Sequence, residues 1–201
     1  DALDPLRRQA RVSPQQIEEM LVKLETRLKT NPDDAKGWVM LARSYETLER
    51  YDATAQAYSQ ALAGARLGEP DRELEARLLA DMADALGSAQ GGDLQGQAGA
   101  AIEEALRLDP RQHKALALAG SAAVRQGDFA LAATHWRALL AQLEPGSDIA
   151  LRVQDDLLQL ETLDASAPAA PAAPAAARAD ANRLSGEIHW PASIRAMALP
   201  P

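Results

Sequence analysis

The chain has 201 residues, 47% of them hydrophobic, which is enough apolar material for one compact domain with extensions. Its formal net charge of −8 argues against a phosphate-binding surface, because proteins that bind nucleic acids need basic patches. The absence of cysteine excludes disulfide bonds and thiol chemistry.

Helices are favoured over strands because alanine and leucine dominate the apolar residues, while β-branched residues are sparse. Residues 1–12 are charged and are predicted to form a flexible N-terminal segment. A first helix is predicted after Ser13-Pro14, where serine can cap and proline suits the first turn. The same helix is predicted to end at Asn31-Pro32.

Seven further helices are predicted, as three consecutive pairs followed by a single helix. Their ranges are 34–48 and 51–66, 72–88 and 96–108, 112–126 and 128–142, and finally 147–162. The single helix is expected to cover the apolar face of the third pair, as the end of a repeat array requires. An all-α domain is therefore predicted over residues 13–162.

The composition of the chain changes at Leu163. Residues 163–183 are rich in alanine and proline, have too little hydrophobic bulk to fold, and are predicted to be a disordered, semi-stiff linker. Residues 184–201 alternate apolar side chains at Ile188 and Trp190, a pattern that favours a strand when a partner surface is present. We interpret this last piece as the start of a truncated C-terminal region.

An internal repeat links the first and third helix pairs. With a shift of 78 residues, Trp38 aligns with Leu116 and Tyr58 aligns with Trp136. A further copy fits between them, and two insertions rich in turn-forming residues account for the long spacing. Helix-pair repeats with this kind of periodicity stack into solenoids.

Two motifs carry a family resemblance. The pattern W-x2-L-A-x2-Y at 38–45, continued by Tyr51 and Tyr58, and the pattern G-x6-G-D-F-x2-A-x3-W at 120–136 resemble tetratricopeptide repeats (TPRs). The resemblance implies a superhelix of three helix pairs with an extra N-terminal helix and a C-terminal capping helix. The tyrosines are then packing residues, with ligand stacking as the alternative. Thr54 departs from the pattern, which expects alanine.

A more specific resemblance covers most of residues 13–160. The helix before the first repeat, the middle repeat "ADMADAL…GG.L" and the segment "KALALAG…GDFALAATHWRALL…PGS" are similar to the periplasmic repeat domain of the CcmI (CycH) family of cytochrome c maturation proteins. The segment "RLSGEIHWP" resembles the start of a β-rich region that follows the repeats in some relatives.

The resemblance implies a chaperone-like binding module that holds apocytochrome c, chiefly by its C-terminal segment, until haem ligation. The implied partners are that peptide and other haem-ligation subunits of the maturation system. The implied location is a periplasmic domain of a bacterial inner-membrane protein, with membrane contact only through a segment absent from this sequence.

Stacked helix pairs independently favour peptide binding. A general scaffold of another cell-envelope assembly is the alternative, because the fold permits many ligands.

The binding groove is predicted from the register of the repeats. In such repeats, positions two, five, six, nine and thirteen of the first helices face the concave side. The predicted groove residues are Lys36, Val39, Met40, Arg43, Arg77, Leu78, Asp81, Lys114, Ala117, Leu118, Ser121 and Arg125. Their cations alternate with apolar residues, which suits an amphipathic peptide with a terminal carboxylate. The alternative is that the cations are ordinary solvated charges.

The sequence gives little support for catalysis. The histidines, His113, His135 and His189, lack the spacing of a metal site. Asp81 and Asp84 stand one helical turn apart, but a solvated helix face explains them better than an acid–base pair. The stretch "GSAQGGDLQG" lacks the lysine and preceding strand of a phosphate loop and is interpreted as a flexible loop. We therefore predict a protein that is not an enzyme and needs neither metal nor cofactor.

Overall fold

The computed structural model describes residues 13–166, and within them the chain forms eight α-helices and no strand. The helices are α1 (Pro14–Thr30), α2 (Ala35–Thr47), α3 (Tyr51–Ala65), α4 (Arg72–Ala89), α5 (Gln97–Leu108), α6 (His113–Arg125), α7 (Phe129–Leu140) and α8 (Asp148–Ser166). The predicted N-terminal segment 1–12, the linker beyond Ser166 and the terminal region 184–201 lie outside the described residues.

The all-helical repeat fold predicted from the sequence is confirmed. Seven of the eight helices begin and end within two residues of their predicted positions. The difference is α8, which continues to Ser166, beyond the predicted start of the linker at Leu163.

The chain divides between Pro70 and Asp71 into two compact units. In unit 1, α2 and α3 pack as the first repeat, and α1 packs against α2. Ser13 caps α1: its side chain accepts a hydrogen bond from the Gln16 backbone at 3.2 Å, and the Gln16 side chain accepts one from the Ser13 backbone at 2.8 Å. The close approach of α1 to α2 requires Gly37, where a Cβ atom would lie 2.5 Å from Leu28.

The rings of unit 1 differ in burial. Trp38 and Tyr58 are buried, and the Trp38 indole N–H donates to the Pro32 carbonyl at 3.2 Å. Tyr45 is only half-buried, and its hydroxyl donates to Glu25 of α1 at 3.3 Å. Two large rings therefore fill the core, and a third ties the repeat to the preceding helix.

Thr54, the departure from the repeat pattern, is accommodated without an unpaired polar group. It is buried in α3, and its hydroxyl donates to the Arg50 carbonyl one turn earlier, at 3.0 Å. A buried hydroxyl with a backbone partner costs little, so threonine replaces alanine here at small penalty.

In unit 2, α4 and α5 form the second repeat, α6 and α7 form the third, and α8 packs on α7. Trp136 is the centre of the core, and its indole N–H donates to the Ala117 carbonyl at 3.3 Å. Gly120 of α6 lies directly against this ring, and a Cβ there would overlap the indole. Val153 and Leu157 of α8 join the same cluster, as predicted for a capping helix.

The glycine-rich stretch between α4 and α5 is not a simple flexible loop. Its first residues, 87–89, complete α4, and Leu94 is buried against Gly87, where a Cβ would lie 2.6 Å from the leucine side chain. The prediction of a flexible loop over the whole stretch is therefore wrong, because an apolar side chain anchors it to the repeat.

Candidate peptide-binding surface

One exposed face of α2 carries the predicted groove residues of unit 1. Lys36, Met40 and Arg43 follow the spacing i, i+4 and i+7, which places them on one side of a helix. Met40 is 61% exposed, Lys36 is exposed, Arg43 is partly exposed and Val39 is half-buried between them. Within residues 13–166, neither the Lys36 nor the Arg43 side chain takes part in an ion pair or hydrogen bond. The face therefore offers an apolar centre flanked by two available cations.

The predicted groove residues of unit 2 have different surroundings. The Lys114 ammonium on α6 contacts the Asp81 carboxylate of α4 and lies 3.6 Å from the Asp84 carboxylate. The side chains of Lys114 and Asp81 are only 10% and 4% exposed. The interpretation of Asp81 as part of a solvated helix face is therefore wrong: the aspartate is half of a buried ion pair that joins the first helices of two repeats.

Most of the other predicted groove residues of unit 2 are covered within the chain. Leu78, Ala117, Leu118 and Ser121 are buried, and the Ser121 hydroxyl donates to the Ala117 carbonyl at 3.1 Å. Leu78 and Leu118, which were expected to bury ligand side chains, instead contribute to packing.

Arg77 and Arg125 are the more accessible groove residues of unit 2. Arg77 is half-exposed on α4, and Arg125 is exposed at the end of α6. The Arg125 guanidinium lies over the loop that follows α4, since a Cβ at Gly92 would be 3.4 Å from it. Neither arginine is paired with a carboxylate among the described residues.

Comparison with known proteins decides the family. The sequence model of the TPR domain of cytochrome c-type biogenesis protein H matches residues 5–150, which is more than half of the chain. The chain belongs to this family. The region of the match includes α1 to α7, so the biogenesis TPR family accounts for all three repeats and the helix that precedes them.

Three curated relatives support the assignment. The chain is 33% identical over 145 residues to the cytochrome c-type biogenesis protein CycH of Bradyrhizobium diazoefficiens, a match that covers 72% of this chain and 37% of the relative. It is 34% identical over 143 residues to CycH of Pseudomonas aeruginosa, covering 71% and 33%. It therefore spans about a third of the length of these CycH proteins.

The third relative carries a different name. It is the formate-dependent nitrite reductase complex subunit NrfG of Escherichia coli O157:H7, 31% identical over 137 residues, covering 68% of this chain and 65% of the relative. The chain is thus similar to proteins that are named for different assemblies.

Two glutamates of α1 in this member of the biogenesis TPR family have partners within the chain, and these contacts were not predicted from the sequence. Glu18 accepts two hydrogen bonds from Arg50, at 3.1 and 2.7 Å, and these bonds lower the pKa of its carboxyl. Glu25 accepts from Tyr45, and its pKa is lowered chiefly by Lys29. The seven-residue spacing of the glutamates places them on one face of α1, which is the signal that could have revealed them.

The described part of this biogenesis TPR domain contains no cluster of three or more potential metal ligands. His113 and His135 are half-buried, and burial lowers the pKa of His135, while His189 lies outside the described residues. Among residues 13–166, no helix combines the length and the apolar character needed to cross a membrane.

Proposed function

We propose that this chain is a peptide-binding, chaperone-like module of c-type cytochrome biogenesis. Its ligand is apocytochrome c, held by the C-terminal segment before haem ligation, and its other partners are haem-ligation subunits of the maturation system. We place the domain in the periplasm, as part of a bacterial inner-membrane assembly. Membership of the cytochrome c-type biogenesis TPR family and the names of the two CycH relatives support this assignment.

The observation that carries the proposal is the open face of α2. Met40 presents a flexible, polarizable side chain that can pack against apolar groups of different shapes. Lys36 and Arg43, one turn before and one turn after it, can pair with carboxylates of the ligand, including a terminal one. An amphipathic C-terminal peptide satisfies both requirements.

The proposed cation set is narrower than the one predicted from the sequence. The Lys114 ammonium forms ion pairs with Asp81 and Asp84 of the preceding repeat, so it is not available to pair with a ligand. Lys36 and Arg43 remain as the main anchors, and Arg77 is the half-exposed cation of α4.

Calorimetric titration with synthetic peptides tests the proposal. The peptides are C-terminal segments of c-type cytochromes, the same segments with an amidated C-terminus, and scrambled versions. Arg43→Glu should weaken binding of the first peptide by roughly tenfold or more, with a marked dependence on salt, because a pairing charge becomes a repelling one. Amidation should also weaken it if the terminal carboxylate is recognised.

Lys23→Glu is the matched control, because Lys23 is an exposed cation of the same unit on α1 and lies outside the predicted groove. It makes the same change in net charge and should leave affinity within about twofold. Unchanged affinity in both Arg43→Glu and Lys36→Glu would exclude the α2 face as the binding surface.

The alternative function is a general scaffold for another cell-envelope assembly. The similarity to NrfG, which is named as a subunit of a nitrite reductase complex, favours it. Equal binding of cytochrome and scrambled peptides would support the scaffold and contradict the cytochrome-specific role.

A further inference from the structure

The sulfur atoms of this chain are confined to methionine side chains. The sequence has four methionines, Met20, Met40, Met82 and Met197, and no cysteine. Thiolates are the groups that oxidants usually attack first, so their absence leaves the thioethers to react with a two-electron oxidant. Among residues 13–166, Met40 and Met20 are 61% and 54% exposed, whereas Met82 is half-buried. Met40 and Met20 are therefore the described methionines that an oxidant in solution reaches most easily.

Met40 differs from Met20 in its position relative to the proposed ligand. It lies at the centre of the open face of α2 and provides the apolar contact of that face. Lys36 and Arg43 stand at spacings i−4 and i+3 from it, which make side chains neighbours on a helix. Met20 belongs to α1 and lies outside the predicted groove. The two methionines are similarly accessible, so they form a matched pair with and without a role in binding.

Oxidation of Met40 changes the chemistry of the α2 face while leaving the core side of the helix intact. The next two residues, Leu41 and Ala42, are buried and carry that core side. Methionine sulfoxide is polar, and its oxygen accepts hydrogen bonds. The neighbouring Lys36 ammonium and Arg43 guanidinium are donors that this oxygen can recruit. Oxidation thus removes the apolar contact and competes for the cations that would pair with ligand carboxylates.

We propose that Met40 is a site of oxidative modification, and that its conversion to the sulfoxide weakens peptide binding at the α2 face. This inference rests on the proposed function, because it concerns the regulation of the same surface. The oxidant is a hydroperoxide. The Met40 sulfur attacks one peroxide oxygen, the O–O bond breaks as the S–O bond forms, and the proton of the transferred oxygen moves to the leaving oxygen.

The electrons balance in both directions of this modification. The sulfur loses two electrons, and the hydroperoxide is reduced to an alcohol, or to water when it is hydrogen peroxide. A thiol-dependent methionine sulfoxide reductase reverses the change: two thiols become a disulfide, and the sulfoxide oxygen leaves as water. Modification of Met40 is therefore a reversible change of the binding surface.

Damage to the fold is the other effect that methionine oxidation can have. Met82 is half-buried on α4 of unit 2, and a sulfoxide there would place a polar group against packed side chains. Its lower exposure should make it react more slowly than Met40. Oxidation that is brief enough to spare Met82 therefore separates the loss of a binding contact from the loss of structure.

Limited treatment of the full chain with hydrogen peroxide tests the proposal. Peptide mapping by mass spectrometry should show Met40 and Met20 oxidised about threefold or more faster than Met82. Calorimetric titration with a C-terminal peptide of a c-type cytochrome then measures Kd, which should rise about tenfold or more after oxidation. Methionine sulfoxide reductases of both stereospecificities, supplied with dithiothreitol, should restore it. Thermal melts of the oxidised and untreated chains should coincide.

The matched variants are Met40→Leu and Met20→Leu, because leucine has nearly the volume of methionine and no sulfur. Each oxidised variant is compared with the same variant before oxidation. Met20→Leu should lose affinity on oxidation like the unchanged chain, since it retains Met40. Met40→Leu should keep its own Kd within about twofold.

The possible failures can be told apart. An unchanged Kd after complete oxidation of Met40 would overturn the inference and leave the proposed function standing. A loss of affinity that persists in oxidised Met40→Leu would overturn the inference in favour of another methionine. Slower oxidation of Met40 than of Met82 would overturn it by showing that the thioether is covered. If the untreated chain binds no cytochrome peptide, the proposed function fails and the inference fails with it.

Discussion

Lys36 and Lys114 occupy the same position in the first helices of repeats 1 and 3, yet their surroundings are opposite. Lys36 is exposed on α2 and has no partner within residues 13–166, whereas Lys114 is buried between two aspartates. The cause is the neighbouring helix: α6 packs beside α4, which supplies the carboxylates, while α2 packs with α1 and α3. Residues at equivalent positions of two repeats therefore lie on the same face of their helices, but the neighbouring helices decide whether that face is buried or exposed.

The same two repeats also differ in which of their helices carries the large aromatic side chains. Repeat 1 places Trp38 on its first helix and Tyr58 on its second, with Ala42 as the small residue. Repeat 3 places its large ring, Trp136, on the second helix and leaves only Gly120 opposite. The ring and the glycine in repeat 3 form a tighter fit, so changes there should cost more.

The largest expected effect on stability is at the contact between Trp136 and Gly120. Trp136→Ala should lower the free energy of unfolding by about 3 to 5 kcal/mol, because it leaves a cavity in the core of unit 2. Tyr45→Ala, which truncates a half-buried ring in repeat 1, should lower it by only about 1 to 2 kcal/mol. Chemical denaturation of both variants measures the difference, and equal losses would show that the repeats tolerate truncation alike.

The next largest effect on stability is expected at the equivalent lysines, Lys36 and Lys114. Lys114→Met should lower the free energy of unfolding by about 3 kcal/mol, because it leaves Asp81 buried without its cation. Lys36→Met, at the equivalent exposed position, should change it by no more than about 0.5 kcal/mol. The double variant Asp81→Leu/Lys114→Met should recover much of the loss. Failure of the double variant to recover would mean that packing, rather than charge, dominates at this site.

The turns that end α2 and α6 allow a smaller test. Glu49 has a φ of 57°, a left-handed conformation that is strained for a residue with a side chain, whereas Gly127 adopts 73° at the equivalent turn. Glu49→Gly should therefore raise the free energy of unfolding by about 0.5 to 1 kcal/mol. Gly127→Ala should lower it by about 1 kcal/mol. A destabilising Glu49→Gly would indicate that the glutamate side chain compensates for its backbone.

The smallest effect is a pH dependence confined to repeat 3. Burial lowers the pKa of His135, so protonation favours the unfolded chain, and stability is lost as the pH falls through 6.5. Because His135 is only half-buried, the loss between pH 7.5 and 5.5 should be small. Repeat 1 has Ala57 at the equivalent position, so His135→Ala should flatten this part of the profile. Thermal melts across this range, compared with the unchanged chain, measure the contribution.

The sequence predicted the helices well because their limits depend on local chemistry. The cap at Ser13 and the turn at Asn31-Pro32 act within a few residues of where they stand. The surroundings of Leu78 and Lys114 could not be predicted in the same way, because they depend on how α4 packs against α6. The predicted groove residues are therefore more exposed on α2 than on α4 and α6, and their role in binding stays a prediction.

The two buried indoles have a consequence for measuring how the molecule unfolds. Trp38 lies in the core of unit 1 and Trp136 in the core of unit 2. With Trp190 also replaced, changing one or the other to phenylalanine leaves a single indole whose emission moves to longer wavelength when its own unit opens to water. The pair of variants thus distinguishes a chain that melts in one cooperative step from one whose units melt in succession.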